Sequence, residues 1–337
     1  MMLSLVAHHF VVNSGIPSLY ETDNVSINMI FAQVFGMWGK TAINVFTLIT
    51  GYFMVGKDLT LKKILKLLFT ATFYVYGFYL IFLLSGYESF SLRGLAEALF
   101  FIPMEAGRSY VGSMITMMLF IPFVNSLIKV ITRRQFRILL LLLLIYFTVL
   151  ASFLNIDNFD FVFWMITTYM IGAYIRLYPG KWDSVRFAGC FMMFSILAMV
   201  GSVLTIDMFG IRYGFDGYYF FLQDANKVLA LVASVSIFVL FKNLNVNYNK
   251  MTNKIASATF GVLLVHANSG TMRRFLWQDV FDNAGHYYKQ LFIPYACGVV
   301  VLVYIIATVI ELLRIKFIEK PLFGYLNKYK WINKKLW

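Results

Sequence analysis

The chain has 337 residues, of which 60% are hydrophobic and 13% are charged, and its formal net charge is +13. Soluble globular domains are nearer one half apolar and about one quarter charged, so this composition excludes an ordinary soluble protein. The mean hydropathy of +0.74 supports the same conclusion.

Apolar residues stand in long blocks along the whole chain. The main blocks are 41–56, 67–85, 110–128, 136–154, 161–178, 187–206, 227–241 and 290–313. A helix needs about 20 residues to cross a bilayer, and irregular lipid-exposed backbone cannot satisfy its polar groups there. The alternating pattern of a transmembrane β-barrel is absent. With the apolar start and a weaker segment at 255–272, the sequence predicts an all-α, polytopic membrane protein of about ten spans, without a separate soluble domain.

The basic residues favour one side of such a bundle. With ten spans, 21 of the 29 Lys and Arg residues fall in the second, fourth, sixth and eighth loops and the C-terminal tail. Cytoplasmic loops carry the excess of Lys and Arg, so both termini are predicted to be cytoplasmic in a multi-pass protein of the cell membrane. The positive charge then reflects topology and contact with the lipid bilayer, and no nucleic acid partner is expected.

Acidic residues are concentrated in the opposite, outer loops or at their edges. Twelve of the sixteen lie there: Glu21, Asp23, Glu88, Glu97, Glu105, Asp157, Asp160, Asp207, Asp216, Asp224, Asp279 and Asp282. Either they are what remains when the basic residues are inside, or some line an outer vestibule for a polar substrate.

Cys190 and Cys297 stand alone in apolar segments, where buried thiols are expected as inert packing, and offer no metal or disulfide spacing.

The first apolar segment, MMLSLVAHHFVV, is short and carries two adjacent histidines, His8 and His9. Its dozen residues before Asn13 cover roughly 18 Å as a helix, little more than half of a bilayer core. It has neither the basic start nor the cleavage site of a signal peptide. Because the charge pattern requires this segment to span, we expect that the first helix lacks its start.

Ionisable residues inside spans are costly and usually face the bundle interior or a cavity. His8 and His9 lie about a turn from the outer end of the first helix, and His266 lies in the ninth, within GVLLVHANSG. Both helices run outward, so His9 and His266 are expected at comparable depth. A histidine can take and return a proton as a general base; the alternative is a hydrogen-bonded core residue.

Two further ionisable groups favour structural roles. His286, within NAGHYYK, is predicted to be an ordinary surface residue of an outer loop. Glu311 lies late in the last span, three residues before Arg314, and at this helical spacing the two side chains are expected to pair. The segment GLAEALFFIP at 94–103 is too short to span, so we expect it at the outer interface or re-entering the membrane.

Several segments resemble one membrane enzyme family in order along the chain. LVAHHF resembles the first-helix signature of the acyltransferase 3 family, which O-acylates cell-surface sugars; there a basic residue precedes the histidine by eleven positions, which here falls before Met1. His9, followed by Phe10, takes the place of that histidine. NVFTLITGYFMV, KKILK, SYVGSMITMMLFIPFVN, TTYMIGAYIRLY, ATFGVLLVHANS and FIEKPLF resemble further family segments, so that the resemblance covers residues 1–337 as a single domain.

The resemblance implies a reaction and its partners. The donor would be cytoplasmic acetyl-CoA or a similar acyl-CoA, with Lys63 and Lys66 as candidates for binding its nucleotide; the alternative is that these lysines are only loop charge. His9, with His8 and His266 nearby, would deprotonate an acceptor hydroxyl or carry the acyl group. The acceptor would be a glycan or lipid-linked sugar entering from outside, and no metal is implied.

Two other functions stay open on the sequence alone. Ten helices with buried histidines would also suit a proton-coupled transporter or flippase of a polar or glycan substrate, although the internal repeats of transporters are not evident. A catalytically inactive membrane scaffold is the third interpretation.

Overall fold

The computed structural model describes residues 1–20, 25–156, 158–210 and 217–336, and these are almost entirely helical. The α-helices are α1 Met2–Val12, α2 Ile27–Gly36, α3 Gly39–Met54, α4 Leu61–Leu84, α5 Leu92–Leu99, α6 Phe101–Glu105, α7 Tyr110–Val130, α8 Arg133–Leu144, α9 Leu150–Phe153, α10 Phe161–Leu177, α11 Val185–Thr205, α12 Val228–Asn243, α13 Lys250–Ser257, α14 Thr259–Ala267, α15 Gly270–Arg274, α16 Asn283–His286, α17 Phe292–Arg314 and α18 Lys320–Leu326. The acidic residues Glu21, Asp23, Asp157 and Asp216 lie outside the described residues.

The helices follow the predicted apolar blocks closely. Five stretches are long and apolar enough to cross a membrane: Leu61–Leu84, Tyr110–Val130, Arg133–Phe153, Val185–Phe209 and Phe292–Leu326. Shorter apolar helices are Met2–Val12, Phe161–Leu177 and Val228–Asn243. Short π-helical turns join α8 to α9 and α17 to α18. The prediction of an all-α protein with several helices long and apolar enough to cross a membrane is confirmed.

Helix α1 lies at the centre of the largest apolar cluster. Val6 and Phe10 have no exposed surface, and Leu5 is also buried. The helix packs against α2, α3, α14 and α17, as expected for a helix that is apolar on all sides. The Phe10 ring lies 6.1 Å from Trp277 and 6.3 Å from Phe292 between ring centroids. The short histidine-bearing segment is therefore an interior helix of the bundle.

The outward faces of the long helices are strongly apolar. Large exposed side chains on α4, α8, α11 and α17 include Ile81, Leu84, Leu141, Leu142, Phe194, Leu197, Val301 and Ile305. Continuous apolar surface of this kind is costly in water and is what lipid chains cover in helical membrane proteins. These helices thus form the periphery around α1.

Two features differ from the sequence expectation. Cys190 and Cys297 are free but exposed, because they lie on outward faces of α11 and α17 rather than in the core. Helix α2 was not predicted, since polar residues interrupt its apolar pattern. One of them, Gln33, is buried and donates to the Asp207 carboxylate at 3.1 Å, a tertiary contact that makes a polar residue acceptable inside the bundle.

Candidate active site

His9 and His266 meet in the interior of the bundle. His9 Nδ1 lies 3.0 Å from His266 Nε2, and the ring centroids are 5.1 Å apart. The two residues come from α1 and α14, which pack against each other. His266 is fully buried, whereas His9 keeps part of its surface. The prediction that these residues lie at a comparable level is confirmed.

The hydrogen-bond partners determine which nitrogens carry protons when both rings are neutral. His266 Nδ1 lies 2.5 Å from the carbonyl oxygen of Val262, and because a carbonyl oxygen can only accept, His266 Nδ1 donates. His266 Nε2 therefore has a lone pair, and His9 Nδ1 donates to it. This leaves His9 Nε2 unprotonated, which is the form that can accept a proton or attack a carbonyl.

His8 is held by a different partner. Its Nδ1 donates to the carbonyl oxygen of Gly36 at 2.6 Å, and its ring centroid lies 5.6 Å from that of His9. Gly39 provides the space for this ring, because a Cβ at that position would lie 2.3 Å from His8 Cδ2. The structure thus brings His8 beside His9, with a separate hydrogen bond to α2.

A cavity of about 310 Å³ adjoins His8 and His9, within the range of small-molecule sites. Residues from α1, α3, α6, α7, α10, α14 and α15 surround it. Its polar lining comprises Asn13, Lys40, Glu105, Arg108, Ser109, Tyr110, Asn268 and Arg273. We call it the histidine cavity. A group bound there would be within reach of the histidine rings and of both charged and neutral polar side chains.

A second cavity of about 300 Å³ adjoins the first and shares Phe101, Glu105, Asn268 and Arg273 with it. Its lining adds the carboxylates of Glu88 and Glu97. We call it the acidic cavity. The segment predicted at 94–103 forms α5 and α6 along its wall, and three of the twelve outer acids therefore line these cavities.

A π-helical turn, Phe275–Val280, supports the histidine pair from the side of α15. It places the buried Trp277 ring 6.2 Å from His266 between centroids. Gln278 from the same turn donates to the carbonyl oxygen of Asn13 at 3.0 Å. Such turns are frequent at functional sites, and this one connects the segment after His266 to the end of α1.

Lys63 and Lys66 lie on the first turns of α4, and neither lines the histidine cavity. Lys66 Nζ lies 2.8 Å from Glu319 Oε1 and 5.3 Å from the centroid of Phe323, so its charge is already partnered. Lys63 Nζ is exposed and donates to the carbonyl oxygen of Asp58 at 3.4 Å. Of the two predicted donor-binding lysines, Lys63 has the more available ammonium group.

A cavity of about 210 Å³ lies next to Lys63, with Lys57 and Lys129 in its lining. We call it the lysine cavity. Residues near the C-terminus form part of its wall: Leu336 lines it, and Lys335 pairs with Asp58 at 2.5 Å. The hydrogen bond and charge of this lysine lower the pKa of the Asp58 carboxyl. The cavity thus lies among several lysines and an ionised carboxylate.

The predicted pairing of Glu311 with Arg314 is confirmed, with 2.7 Å between Glu311 Oε2 and Arg314 Nε. The sequence did not indicate the rest of the network. Arg314 also contacts Glu319 at 2.7 Å, and the Tyr74 hydroxyl donates to Glu311 at 2.7 Å. Gly261 admits the Glu311 carboxyl group, since a Cβ there would lie 2.1 Å from Glu311 Cδ. The network therefore joins α4 and α17 beside the helix that carries His266.

Several polar residues of the histidine cavity could not be predicted from the sequence, among them Asn13, Lys40, Arg108 and Arg273. In the sequence, Asn13 marks only the end of the first apolar segment, and the three cations belong to the eight Lys and Arg residues of the predicted outer loops. Each stands at the end of a helix that borders the cavity. The sequence contained no signal for their convergence, because it depends on the packing of α1, α3, α7 and α15.

Comparison with known proteins identifies the family. The acyltransferase 3 family model, described as an acyltransferase domain, matches residues 1–312. This range includes all three predicted catalytic histidines and both predicted donor-binding lysines. Neither a curated protein nor a solved structure matches the chain. The protein belongs to the acyltransferase 3 family and is a membrane acyltransferase.

Proposed function

We propose that the protein moves an acetyl group, or another short acyl group, from cytoplasmic acyl-CoA to a hydroxyl of a cell-surface or exported glycan. The observation that carries this proposal is the hydrogen bond from His9 to His266, which leaves Nε2 of His9 unprotonated on a ring that lines a polar cavity. A base held by a second side chain is the arrangement that activates hydroxyl groups in acyl transfer. Membership of an acyltransferase family supports the same reaction class.

In the proposed reaction, Nε2 of His9 takes the proton of the acceptor hydroxyl while the hydroxyl oxygen bonds to the thioester carbonyl carbon. The carbon–sulfur bond then breaks, and the CoA thiolate receives the proton from Nε2. The products are a glycan ester and the CoA thiol. The same nitrogen can instead attack the thioester and carry the acyl group to the hydroxyl, whose proton then goes to the thiolate. In both routes His266 orients the His9 ring.

The proposed orientation has about ten spans in the cell membrane, with both termini in the cytoplasm. The excess of Lys and Arg in alternate loops and the tail supports it. Lys63 then lies toward the cytoplasm, while the loops that carry Arg108 and Arg273 lie toward the outside. Donor and acceptor would approach the histidines from opposite ends of the bundle.

The lysine cavity is the proposed entry for the CoA nucleotide. Helix α7 borders both cavities, with Tyr110 at the histidine cavity and Ser126 at the lysine cavity. This separation is about 24 Å along the helix, most of which the phosphopantetheine arm of acyl-CoA would have to cover. Lys63, with Lys57 and Lys129, would hold the phosphates as point charges, while the thioester reaches toward His9.

A labelling experiment tests acyl transfer against the transporter alternative. Inside-out membrane vesicles containing the protein receive acetyl-CoA labelled in the acetyl group, and the membrane glycan is extracted. We expect label in the glycan as an alkali-labile ester, above the level in vesicles without the protein. An unlabelled glycan, together with substrate uptake driven by a pH gradient, would reject acyl transfer in favour of transport.

A further inference from the structure

Positive charge is concentrated in the histidine cavity. Lys40, Arg108 and Arg273 line it, against the single carboxylate of Glu105. Lys40 lies 3.6 Å from Asp224, whereas neither arginine forms an ion pair with any carboxylate in the part of the chain that the structure describes. Both arginine side chains are exposed. Arg273 Nε donates to the carbonyl oxygen of Ser269 at 3.1 Å, but a guanidinium group carries five N–H donors, so both arginines keep donors for an anionic ligand.

An unsatisfied donor supports the same conclusion. The side-chain nitrogen Nδ2 of Asn13 is buried and has no hydrogen-bond partner among the residues that the structure describes, and Asn13 lines the cavity four residues after His9. A buried donor without a partner costs about 1–3 kcal/mol, and a ligand acceptor atom would remove that cost. Since an amide nitrogen and guanidinium groups only donate, they suit an acceptor-rich group.

The positive charge of the histidine cavity contrasts with the other loops on the predicted outer side of the protein. Eight Lys and Arg residues are assigned to its loops, which are otherwise rich in Asp and Glu. Three of the eight converge on the histidine cavity, while the neighbouring acidic cavity carries Glu88 and Glu97. The two cavities thus differ in charge although they share Arg273 and Glu105. A ligand that spans them would meet cations near the histidines and carboxylates farther away.

We propose that the acceptor is an anionic glycan, whose carboxylate or phosphate binds Arg108 and Arg273 so that a nearby sugar hydroxyl is presented to His9. This inference rests on the proposed acyl transfer and specifies its acceptor class. Guanidinium groups match carboxylate and phosphate oxygens with two parallel hydrogen bonds. Hydroxyl groups of the adjoining sugar can donate to Glu88 and Glu97 in the acidic cavity.

The test compares three soluble disaccharides that differ at one carbon atom. Purified protein is given labelled acetyl-CoA and either cellobiose, its form with glucuronic acid at the non-reducing end, or its 6′-phosphate. We expect at least one anionic disaccharide to exceed cellobiose in kcat/KM by about tenfold to a hundredfold, the usual effect of a charge-assisted hydrogen bond. The carboxylate and phosphate arms identify which anion the cavity prefers.

Variants connect that preference to the arginines. Arg273→Gln and Arg108→Gln should lower kcat/KM for the anionic acceptor far more than for cellobiose, mainly through KM, so that the advantage of the anionic acceptor is lost. Arg93→Gln is the matched control, because Arg93 pairs with Glu97 at 2.8 Å and lies outside the histidine cavity. It should keep the preference.

Three outcomes would overturn the inference while acyl transfer stands. One is equal use of cellobiose and both anionic disaccharides. The second is an equal loss on all acceptors in the arginine variants, which would assign the cations to the developing oxyanion of the reaction instead. The third is transfer to membrane glycan with none of the three disaccharides accepting label. Absence of transfer to any glycan would count against the proposed function itself.

Discussion

His9 Nδ1 lies 3.0 Å from His266 Nε2, although 257 positions separate the two residues in the chain. His266 is itself fixed by its hydrogen bond to the Val262 carbonyl. His9, His266 and a backbone carbonyl thus form one hydrogen-bonded series in the interior. The proposed function treats the two histidines as one unit, with His9 as the base and His266 as the side chain that orients it.

We predict that the effects of the two histidines are not additive. His266→Ala should lower kcat by about tenfold to a hundredfold with little change in KM, because it removes one hydrogen bond that orients His9. His9→Ala/His266→Ala should be no slower than His9→Ala alone, since His266 acts through His9. Initial rates of transfer from labelled acetyl-CoA measure both effects.

His286→Ala is the control for this pair. His286 is partly exposed, stacks on Tyr295 with 4.1 Å between ring centroids and does not contact His9 or His266, so its removal should leave kcat unchanged. Additive losses in the double variant would mean that His266 contributes to the reaction independently of His9.

Gly39 provides a test of the position of His8. A Cβ at Gly39 would lie 2.3 Å from the His8 ring, so Gly39→Ala should displace that ring, break its bond to Gly36 and lower activity. Gly77→Ala is the matched control, because a Cβ there would have no atom of the described residues within 4 Å other than those of its own stretch of helix. Activity and thermal stability are measured for both. Wild-type activity in Gly39→Ala would show that the position of His8 is unimportant for the reaction.

The buried ion network should respond differently to single and double substitutions. Arg314→Met leaves Glu311 without its cation, and breaking a buried pair in this way costs about 3–5 kcal/mol. Glu311→Leu/Arg314→Met removes both charges and should recover much of that stability. Thermal unfolding of the purified protein measures the differences.

The exposed pair Arg93 and Glu97 serves as the control, since Arg93→Met should hardly change the unfolding temperature. A double variant less stable than Arg314→Met would contradict this account of the network.

Lys63 and Lys66, the two candidates for binding the acyl donor, are predicted to act differently. Lys63→Ala should raise KM for acetyl-CoA by about threefold to tenfold without lowering stability, because its ammonium is available to phosphate. Added salt should reduce the difference from the parent. Lys66→Ala should chiefly lower the unfolding temperature, because it removes a partner of Glu319. Lys62→Ala, next in sequence and bonded to Asn327, is the control; an equal rise in KM for Lys62 and Lys63 would mean general surface charge.

Much of the fold could be predicted from composition and apolar blocks, because the helices of a membrane protein are set by local hydrophobicity. The predicted block 110–128 corresponds to α7, and 290–313 corresponds to α17. Helix α2 was missed because Gln33 is polar in sequence and acceptable only through its tertiary contact with Asp207. The local hydrophobic pattern thus explains why α7 and α17 were predicted. The need for a long-range contact explains why α2 was missed.

In the candidate site, only the histidines could be predicted from the sequence. Histidines within apolar segments stand out because burial of an ionisable group is costly, and this drew attention to His9 and His266. Arg108 and Arg273 were indistinguishable from ordinary loop cations until the packing of α7 and α15 brought them to one cavity. The contact between Lys66, a predicted donor-binding residue, and Glu319 was not predictable either, because it forms only when the chain is folded.

The rate of acetyl transfer to glycan in His9→Ala tests the central claim most directly. Parent and variant are compared at equal protein levels and saturating labelled acetyl-CoA, with alkali-labile label in the glycan as the readout. If His9 is the base or acyl carrier, the variant should be slower by at least about a hundredfold. Equal rates in parent and variant would contradict the account.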